Sequence, residues 1–470
     1  MTTELYLTTA IPYVNAAPHL GHALELVQAD AIARHARRRG RRVRFLTGTD
    51  DNALKNVTAA RAAGVPVREF VERNAVRFAG LREPLALSFD DFIRTGTDPR
   101  HRAGVERLWR ACARQGDFYR RPYAGRYCTG CERFLADGEG RCAEHGTQPD
   151  VVAEENWFFR LSRYQGAVRE VLETGRVRIE PAARRNEVLA FVRGGLADFS
   201  VSRPAARAGG WGIPVPGDPD QVIYVWWDAL ANYLTADPVA WAAADDRVHV
   251  IGKGIVRFHA VYWLALLLSA GQPLPTAILV HDYLTVGGAK LAKSAGNAVD
   301  PVDLAGRYGT DAVRWWLLRE VAPVGDTDFT VERLIRRADQ DLAKGLGNLV
   351  NRTLTLVHRH RGGELTGTPK DLVPDLPHRI DRALAGFGLR AATGALTAAV
   401  DTANRFIEAE RPWERPDGRD DVLATLVHAC RIIAGELTPF LPTGADRLRT
   451  QLGSGRVVGR PRPAFPRLGG

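Results

Sequence analysis

The sequence contains very little methionine, lysine or cysteine. Met1 is the only methionine, and five cysteines among 470 residues are too few for a disulfide-rich secreted scaffold. The longest apolar run, residues 261–270, is shorter than the roughly 20 residues of a membrane span, and the N-terminus lacks the basic and apolar segments of a signal peptide. We therefore predict a protein that works in the cytoplasm without a membrane partner.

Negative charge is also scarce relative to positive charge. The formal net charge is +10 and the sequence pI is about 9.6. This excess fits a polyanionic partner such as a nucleic acid, although a coding bias toward arginine would produce part of it. A length of 470 residues is sufficient for two to four domains.

A short segment near the N-terminus has the features of an anion site. Residues 5–10 read as a buried strand, and apolar residues then recur at helical spacing from Pro18 until Gly40. His19, Gly21 and His22 fall in the first turn of that helix, where backbone N–H groups, the helix dipole and imidazoles can all bind phosphate. Alone, however, two histidines in a helix more often belong to the surface or the core.

A second segment lies about 270 residues further on. Gly287 and Gly288 precede Lys290, Lys293 and Ser294 in a chain where only six of the 64 basic residues are lysine. Two lysines three apart in such a chain indicate a need for compact, mobile ammonium groups. Together the two segments predict a site for Mg-ATP, with reaction at the α-phosphate and the lysines beside the leaving pyrophosphate.

Three cysteines and a histidine have the spacing of a zinc knuckle. Cys128 and Cys131 are followed, after ten intervening residues, by Cys142 and His145. This pattern predicts a tetrahedral, structural zinc with no open position for a substrate. The alternative, one disulfide with spare thiols, is disfavoured in a reducing compartment.

The order of periodic segments predicts an α/β protein. Strands are expected near residues 5–10, 43–47, 222–225, 248–251 and 277–280, forming one Rossmann-like parallel sheet that the zinc-knuckle insertion splits; an all-α helical bundle follows. The expected divisions are 1–114 (first half of the Rossmann domain), 115–204 (insertion), 205–284 (second half), 285–330 (lysine-loop and stem-contact region) and 331–470 (helical bundle).

The two segments resemble the signature motifs of class I aminoacyl-tRNA synthetases, and the surrounding sequence is most similar to the methionyl-tRNA synthetase family. The resemblance extends over nearly the whole chain. It includes Thr8-Thr9-Ala10-Ile11-Pro12-Tyr13, Thr47-Gly48-Thr49-Asp50, Tyr224-Val225-Trp226-Trp227-Asp228-Ala229, Ile255-Val256-Arg257-Phe258-His259 and Leu346-Gly347-Asn348-Leu349-Val350-Asn351-Arg352.

The resemblance implies ATP-dependent ligation of methionine to tRNA through a methionyl-adenylate, by a monomer. It implies catalytic and ATP-binding roles for His19, Gly21, His22, Lys290, Lys293 and Ser294, as described above. The amino-acid site that it implies consists of Ile11, Pro12, Tyr13, Asp50, Arg203, Trp226, Ala229, Leu230, Tyr233 and His259. The anticodon contacts that it implies are Asn348, Arg352 and Trp413.

The sequence departs from the family pattern beside the expected active site. The family usually has Asp-Glu-His-Gly after the second strand, whereas this chain has Asp50-Asp51-Asn52-Ala53, and Gly254 replaces an acidic residue expected at the ribose. Two alternatives therefore stay open at this point. One is a paralogue that activates methionine or an analogue outside bulk translation, and the other is a tRNA-binding protein with a decayed active site.

Overall fold

The computed structural model describes residues 4–128, 133–134, 140–142, 148–291 and 298–469. The chain divides into two compact units. We call the first the sheet unit; it comprises Met1–Pro18, Arg41–Gly80 and Phe89–His281. We call the second the helical unit; it comprises His19–Gly40, Leu81–Ser88 and Asp282–Gly470.

The strands of the described residues are mostly short. In chain order they are β1 Glu4–Thr9, β2 Arg42–Thr49, β3 Asp91–Arg94, β4 Phe118–Cys128, β5 Arg133–Phe134, β6 Asp150–Phe159, β7 Arg178–Glu180, β8 Phe199–Ser200, β9 Ser202–Pro204, β10 Pro214–Val215, β11 Asp218–Ile223, β12 Asp246–Gly252, β13 Ala277–His281, β14 Leu284–Val286, β15 Ala289–Lys290 and β16 Thr327–Asp328.

The helices follow the strands in the sheet unit and dominate the helical unit. They are α1 Leu20–Arg38, α2 Leu54–Ala62, α3 Val67–Ala79, α4 Pro99–Arg114, α5 Gln165–Glu173, α6 Ala182–Arg193, α7 Val225–Thr235, α8 Pro238–Ala243, α9 Leu264–Ser269, α10 Pro301–Tyr308, α11 Thr310–Arg319, α12 Val331–Arg337, α13 Asn348–Arg361, α14 Leu376–Ala385, α15 Leu389–Glu410, α16 Arg419–Leu437 and α17 Pro442–Leu452. Short 3-10 turns (Leu161–Tyr164, Lys253–Ile255) and π-helical segments (Phe258–Trp263, Ala338–Gly347) complete the set.

A six-stranded parallel sheet organises the sheet unit. Its strand order is β3-β2-β1-β12-β13-β7, and each neighbouring pair is parallel. β1 is central, with Leu7 opposite Phe45 on β2 and Val248 on β12. The prediction of a parallel α/β core is therefore confirmed, as are the strands predicted at 5–10, 43–47, 248–251 and 277–280.

One predicted strand of this sheet is wrong. Residues 222–223 belong to β11, which pairs antiparallel with β9 and β10 in a separate sheet, and residue 225 already begins α7. The physical reason is Gly217, whose φ of 85° lets the chain turn tightly from β10 into β11. Such a turn joins antiparallel strands only, because parallel strands need a long crossover. The other two parallel strands are β3, which was not predicted, and β7, from the segment predicted as insertion.

Aromatic side chains fill the core of the sheet unit. Trp109 stacks on Phe118 with 4.2 Å between ring centroids, and Trp227 meets both rings at 5.3 Å. The apolar run 261–270 forms part of this core through Val261, Trp263 and the residues of α9. Its prediction as a buried helix is confirmed.

The helical unit contains the helices predicted after residue 331. The stripe Leu342, Leu346, Leu349 and Val350 is buried, as its spacing predicts. No helix within the described ranges is long and apolar enough to cross a membrane.

Helix α1 is bound to other helices of this unit by ion pairs. Arg39, at its C-cap, donates to Asp381 on α14 at 2.7 Å and to Glu436 on α16 at 2.7 Å. His35 contacts the same Asp381 at 2.8 Å, and Arg38 donates to Glu436 at 3.0 Å. Part of the arginine-rich segment after residue 36 therefore anchors this helix.

Candidate functional site

The start of α1 is capped by its own histidines. His19 is the N-cap, and its Nδ1 accepts from the backbone N–H of Gly21 at 3.1 Å. His22 Nδ1 accepts from the backbone N–H of His19, also at 3.1 Å, and the two rings stack with centroids 3.9 Å apart. A side chain at position 21 would collide with the His19 ring, since a Cβ there would lie 2.9 Å from its Cε1. The sequence His-x-Gly-His thus forms a reciprocal capping box.

This geometry fixes the tautomer of both rings. Because each Nδ1 accepts a backbone hydrogen bond, the ring proton of each neutral imidazole is on Nε2. Burial, with a smaller contribution from the positive charge of Lys290, lowers the pKa of His19 to about 4. His19 is therefore a neutral hydrogen-bond donor at physiological pH, and the ammonium charge of Lys290 is near enough to influence it.

Lys290 lies at the end of a tight hairpin in the same unit. Gly287 and Gly288 have φ values of 60° and 77° and form the two-residue turn between β14 and β15. Left-handed values at both central positions are favourable for glycine, which explains the pair. The ammonium of Lys290 lies 3.8 Å from the ring centroid of Tyr283. Lys293 and Ser294 lie outside the described residues.

The carboxyl ends of β1 and β2 bring together part of the predicted amino-acid set. Ile11, Pro12 and Tyr13 follow β1, and Asp50 follows the neighbouring strand β2. The N–H of Asp50 donates to the carbonyl of Pro12 at 2.9 Å, and Tyr13 and Asp50 form a parallel bridge. On its other side β2 approaches β3 closely at Gly48, where a Cβ would lie 2.0 Å from the carbonyl oxygen of Ile93. Asp50 itself is 1% exposed.

Helix α7 carries the next four members of that set, at helical spacing: Trp226, Ala229, Leu230 and Tyr233. Trp226 meets the ring of Tyr13 edge-on at 6.3 Å. Its other neighbour is Phe258, which stacks on it at 3.7 Å and nearly parallel. Sequence reasoning did not assign Phe258 a role, although it lies next to the predicted His259.

His259 is held as a neutral ring in this region. Its Nδ1 lies 3.0 Å from the carbonyl of Ile255 and therefore carries the proton, so that Nε2 accepts from the hydroxyl of Tyr233 at 2.7 Å. Burial lowers the pKa of His259 to about 4. His249, 5.9 Å away between ring centroids, also has a pKa well below its ordinary value because of burial and of His259. The two histidines beside Tyr233 are thus uncharged, and its neighbourhood is rich in aromatic rings, which suits a thioether.

Arg203, the remaining member of the predicted amino-acid set, is also buried. It is 3% exposed on β9 and donates to the carbonyl of Ser202 at 2.7 Å. Its guanidinium stacks over Tyr224, 4.3 Å from the ring centroid, and Tyr224 is the N-cap residue of α7. Arg203 therefore contacts the start of the helix that carries Trp226.

A hydrogen-bond network that sequence reasoning missed lies under the same helix. Asp228 of α7 is 1% exposed and accepts from Asn52 Nδ2 at 2.6 Å through one oxygen. Its other oxygen makes a short contact with Nε2 of His101, whose Nδ1 lies 2.8 Å from Thr235 Oγ1. His101 is the one histidine of α4, and none of its sequence neighbours indicates that it contacts Asp228. Gly254 lies in the 3-10 turn after β12.

Two of the three predicted anticodon residues contact each other in the helical unit. The guanidinium of Arg352 lies 5.7 Å from the ring centroid of Trp413 and pairs with Glu408 at 2.7 Å. Asn348, one turn before Arg352 at the start of α13, is exposed.

Only half of the predicted zinc ligands can be located. Cys128 and Cys142 are each 1% exposed and form a small buried cluster of their own. Cys131 and His145 lie outside the described residues. Among the residues that are described, no group of three or more potential ligands is assembled, so the zinc knuckle is not demonstrated.

Comparison with known proteins agrees with this geometry. The family model "tRNA synthetases class I (M)" matches residues 5–145 and 138–354. A methionine–tRNA ligase of Mycobacterium leprae is 40% identical over 95% of this chain and 89% of its own length, and one of Brucella suis is 37% identical over 99% and 98%.

Solved structures give the same result. The methionyl-tRNA synthetase of Mycobacterium tuberculosis in complex with methionyl-adenylate superposes with a TM-score of 0.92 at 37% identity, covering 99% of this chain and 100% of that one. The apo form of that enzyme gives a TM-score of 0.86 at 35% identity, covering 99% and 98%. This chain belongs to the class I tRNA synthetases, in their methionyl family.

Proposed function

We propose that this chain ligates methionine to its tRNA in two steps, with the residues described above in the following roles. In the first step a carboxylate oxygen of methionine attacks the α-phosphorus of Mg-ATP, and pyrophosphate leaves. In the second step a terminal ribose hydroxyl of tRNA attacks the acyl carbon, and AMP leaves. The observation that carries the proposal is the histidine-capped start of α1 beside the charge of Lys290.

The helical unit supplies the groups for the phosphates. Nε2–H of His19 and of His22 would donate to phosphate oxygens, and the first backbone N–H groups of α1 add their dipole. Lys290 and Lys293 would neutralise the charge that develops on pyrophosphate, with Ser294 beside them. Magnesium, bound with ATP, would supply further neutralisation of the triphosphate.

The sheet unit supplies the amino-acid site. Asp50 would bind the α-ammonium of methionine, since its carboxylate is buried beside Pro12 and Tyr13. The side chain of the bound methionine would lie among the aromatic rings of Tyr13, Trp226 and Tyr233, with neutral His259 at the hydroxyl of Tyr233. A polarizable sulfur interacts favourably with such rings.

The end of α15 and the start of α13 are proposed to bind the anticodon. A planar guanidinium over an indole, as in Arg352 and Trp413, suits unstacked bases, and exposed Asn348 can donate to or accept from a base edge. Together with the net charge of +10, these residues support a tRNA partner.

The function is tested by ATP–pyrophosphate exchange with each of the twenty amino acids, followed by charging of tRNA. We expect methionine to support exchange, with other amino acids lower by roughly a hundredfold or more in kcat/KM. A reaction without amino acid gives the background. Preference for another amino acid, or exchange without transfer to tRNA, would contradict the assignment in favour of a specialised paralogue.

A structural zinc in the sheet unit is also proposed. Cys128 and Cys142 are buried together, which fits two thiolate ligands, with Cys131 and His145 as the others. Burial instead raises the pKa of Cys112 and of Cys430 to about 12, so these cysteines stay protonated and are poor ligands. The metal would hold the two ends of segment 128–145 together.

The Cys142→Ser variant tests this metal. We expect purified wild type to contain about one zinc per chain by mass spectrometry of the metal content, and the variant to contain almost none. Cys430→Ala, which removes another buried cysteine, should retain the zinc. Equal zinc content in Cys142→Ser and wild type would show that the knuckle is not the site.

A further inference from the structure

The segment after β2 departs from the family pattern, and the structure shows what its Asn52 does. The carboxamide nitrogen of Asn52 faces two acceptors, a carboxylate oxygen of Asp228 at 2.6 Å and the carbonyl of Thr95 at 3.3 Å. Both neighbours only accept hydrogen bonds, so the orientation of the amide is determined by its partners. Each N–H of the amide therefore has an acceptor.

The backbone of Asn52 acts on a different group. Its N–H donates to Oδ1 of Asp50 at 3.1 Å. Asn56, in the first turn of α2, donates to the backbone carbonyls of Asp50 and Asp51, both at 3.0 Å. This segment therefore contacts the Asp50 carboxylate through the N–H of Asn52 and holds the backbone of Asp50 through Asn56.

Asp228 connects the segment after β2 to the helix that carries the aromatic residues of the proposed amino-acid site. It lies on α7 between Trp226 and Tyr233, and it is 1% exposed. A buried carboxylate is costly unless hydrogen bonds satisfy it, and here His101 donates to one oxygen and Asn52 to the other. Removing the Asn52 donor would leave that second oxygen unsatisfied.

We propose that Asn52 is a positioning residue for methionine: it sets the distance between the carboxylate of Asp50 and the aromatic residues of α7. This inference rests on the proposed roles of Asp50, Trp226 and Tyr233. Asn52 touches neither reactant. It acts by connecting the group that binds the α-ammonium to the helix that binds the side chain.

The position is occupied by histidine in the usual family pattern, and the chemistry of the two residues differs. A neutral imidazole has one N–H and can serve only one of the two acceptors, Asp228 or Thr95. The carboxamide serves both without a positive charge. Asparagine therefore makes this connection independent of protonation at residue 52.

Three substitutions separate positioning from simple structural support. Asn52→Leu has a similar size without the donor, and Asn52→Asp has the same shape but faces Asp228 with a carboxylate. Asn52→His restores one donor. We expect KM for methionine in the exchange reaction to rise about tenfold in Asn52→Leu and about a hundredfold in Asn52→Asp, but less than about threefold in Asn52→His. KM for ATP should change less than twofold.

The control is Thr58→Ala, at an exposed position of α2, which should match wild type in both constants. If the methionine KM is the same in all three Asn52 variants as in wild type, or if KM for ATP rises in parallel with it, Asn52 does not position methionine. Should Asn52→Leu fail to fold, the comparison of Asn52→Asp with Asn52→His decides the question. Failure of the proposed function is distinct, because wild type itself would then show no methionine-dependent exchange.

Discussion

Replacing His22 by asparagine should reduce the rate of methionine-dependent ATP–pyrophosphate exchange by about a hundredfold or more, since one donor to a developing charge is typically worth that much. The asparagine Oδ1 can occupy the place of Nδ1 and still accept from the N–H of His19, so the cap of α1 is retained. Only the distal Nε2–H donor is lost. Single-turnover formation of the adenylate measures the effect, with methionine binding expected to be unchanged.

The matched variant is His22→Gln. Glutamine places an N–H near the position of Nε2 but cannot reproduce the accepting Nδ1. We therefore expect this variant to stay within about tenfold of the wild-type rate and to lose about 1 kcal/mol of stability from the weaker cap. The reverse order, with asparagine more active than glutamine, would assign His22 to helix capping alone.

Replacing Asp30 by asparagine should lower the free energy of unfolding of the helical unit by about 3 to 5 kcal/mol. Asp30 on α1 and Arg314 on α11 are completely buried and pair at 2.8 Å. Although burial opposes it, Arg314 and Arg34 hold the pKa of Asp30 below its usual value. Without the carboxylate, Arg314 would be a buried cation with only carbonyl partners, among them those of Phe440 and Leu85.

Equilibrium unfolding in urea, followed by circular dichroism, measures this loss. Arg361→Gln is the control, because it removes an exposed pair with Asp420 in the same unit and should cost less than about 1 kcal/mol. The double variant Asp30→Leu with Arg314→Met should regain only part of the lost stability: it removes the unpaired charge, but Ser88 and Arg34 also lose their acceptor. A small loss in Asp30→Asn, similar to that of Arg361→Gln, would mean that water reaches Arg314.

Local sequence patterns predicted four of the six strands of the parallel sheet because its central strands are short, mainly apolar segments. β1, β12 and β13 are buried on both faces, and such strands give a strong signal. β7 gave none: it has three residues, Arg178, Ile179 and Glu180, of which only Ile179 is buried. Pairing with β13 makes it a strand, and pairing between distant segments cannot be read from three residues.

The candidate site likewise contains some features that the sequence predicts and others that it does not. The histidines of α1 and the glycine turn before Lys290 were predictable, because capping and left-handed φ values depend on neighbouring residues. The partners of Asp228 were not, since Asn52 and His101 reach it from positions 176 and 127 residues away in sequence. Their roles depend on tertiary contacts that no local pattern encodes.

Helix α1 has nineteen residues and is therefore about 28 Å long. One end contains His19 and His22, and the other is held by Asp381 on α14 and Glu436 on α16, in the same unit as the proposed anticodon contacts. A substitution at Asp381 or Glu436 can consequently slow the charging of tRNA for two different reasons. A variant at Asp381 that charges tRNA slowly has not necessarily lost an RNA contact. Loss of the ion pair at the C-terminal end of α1 can also tilt the helix and so displace the imidazoles of His19 and His22. Measuring adenylate synthesis without any RNA separates these two causes.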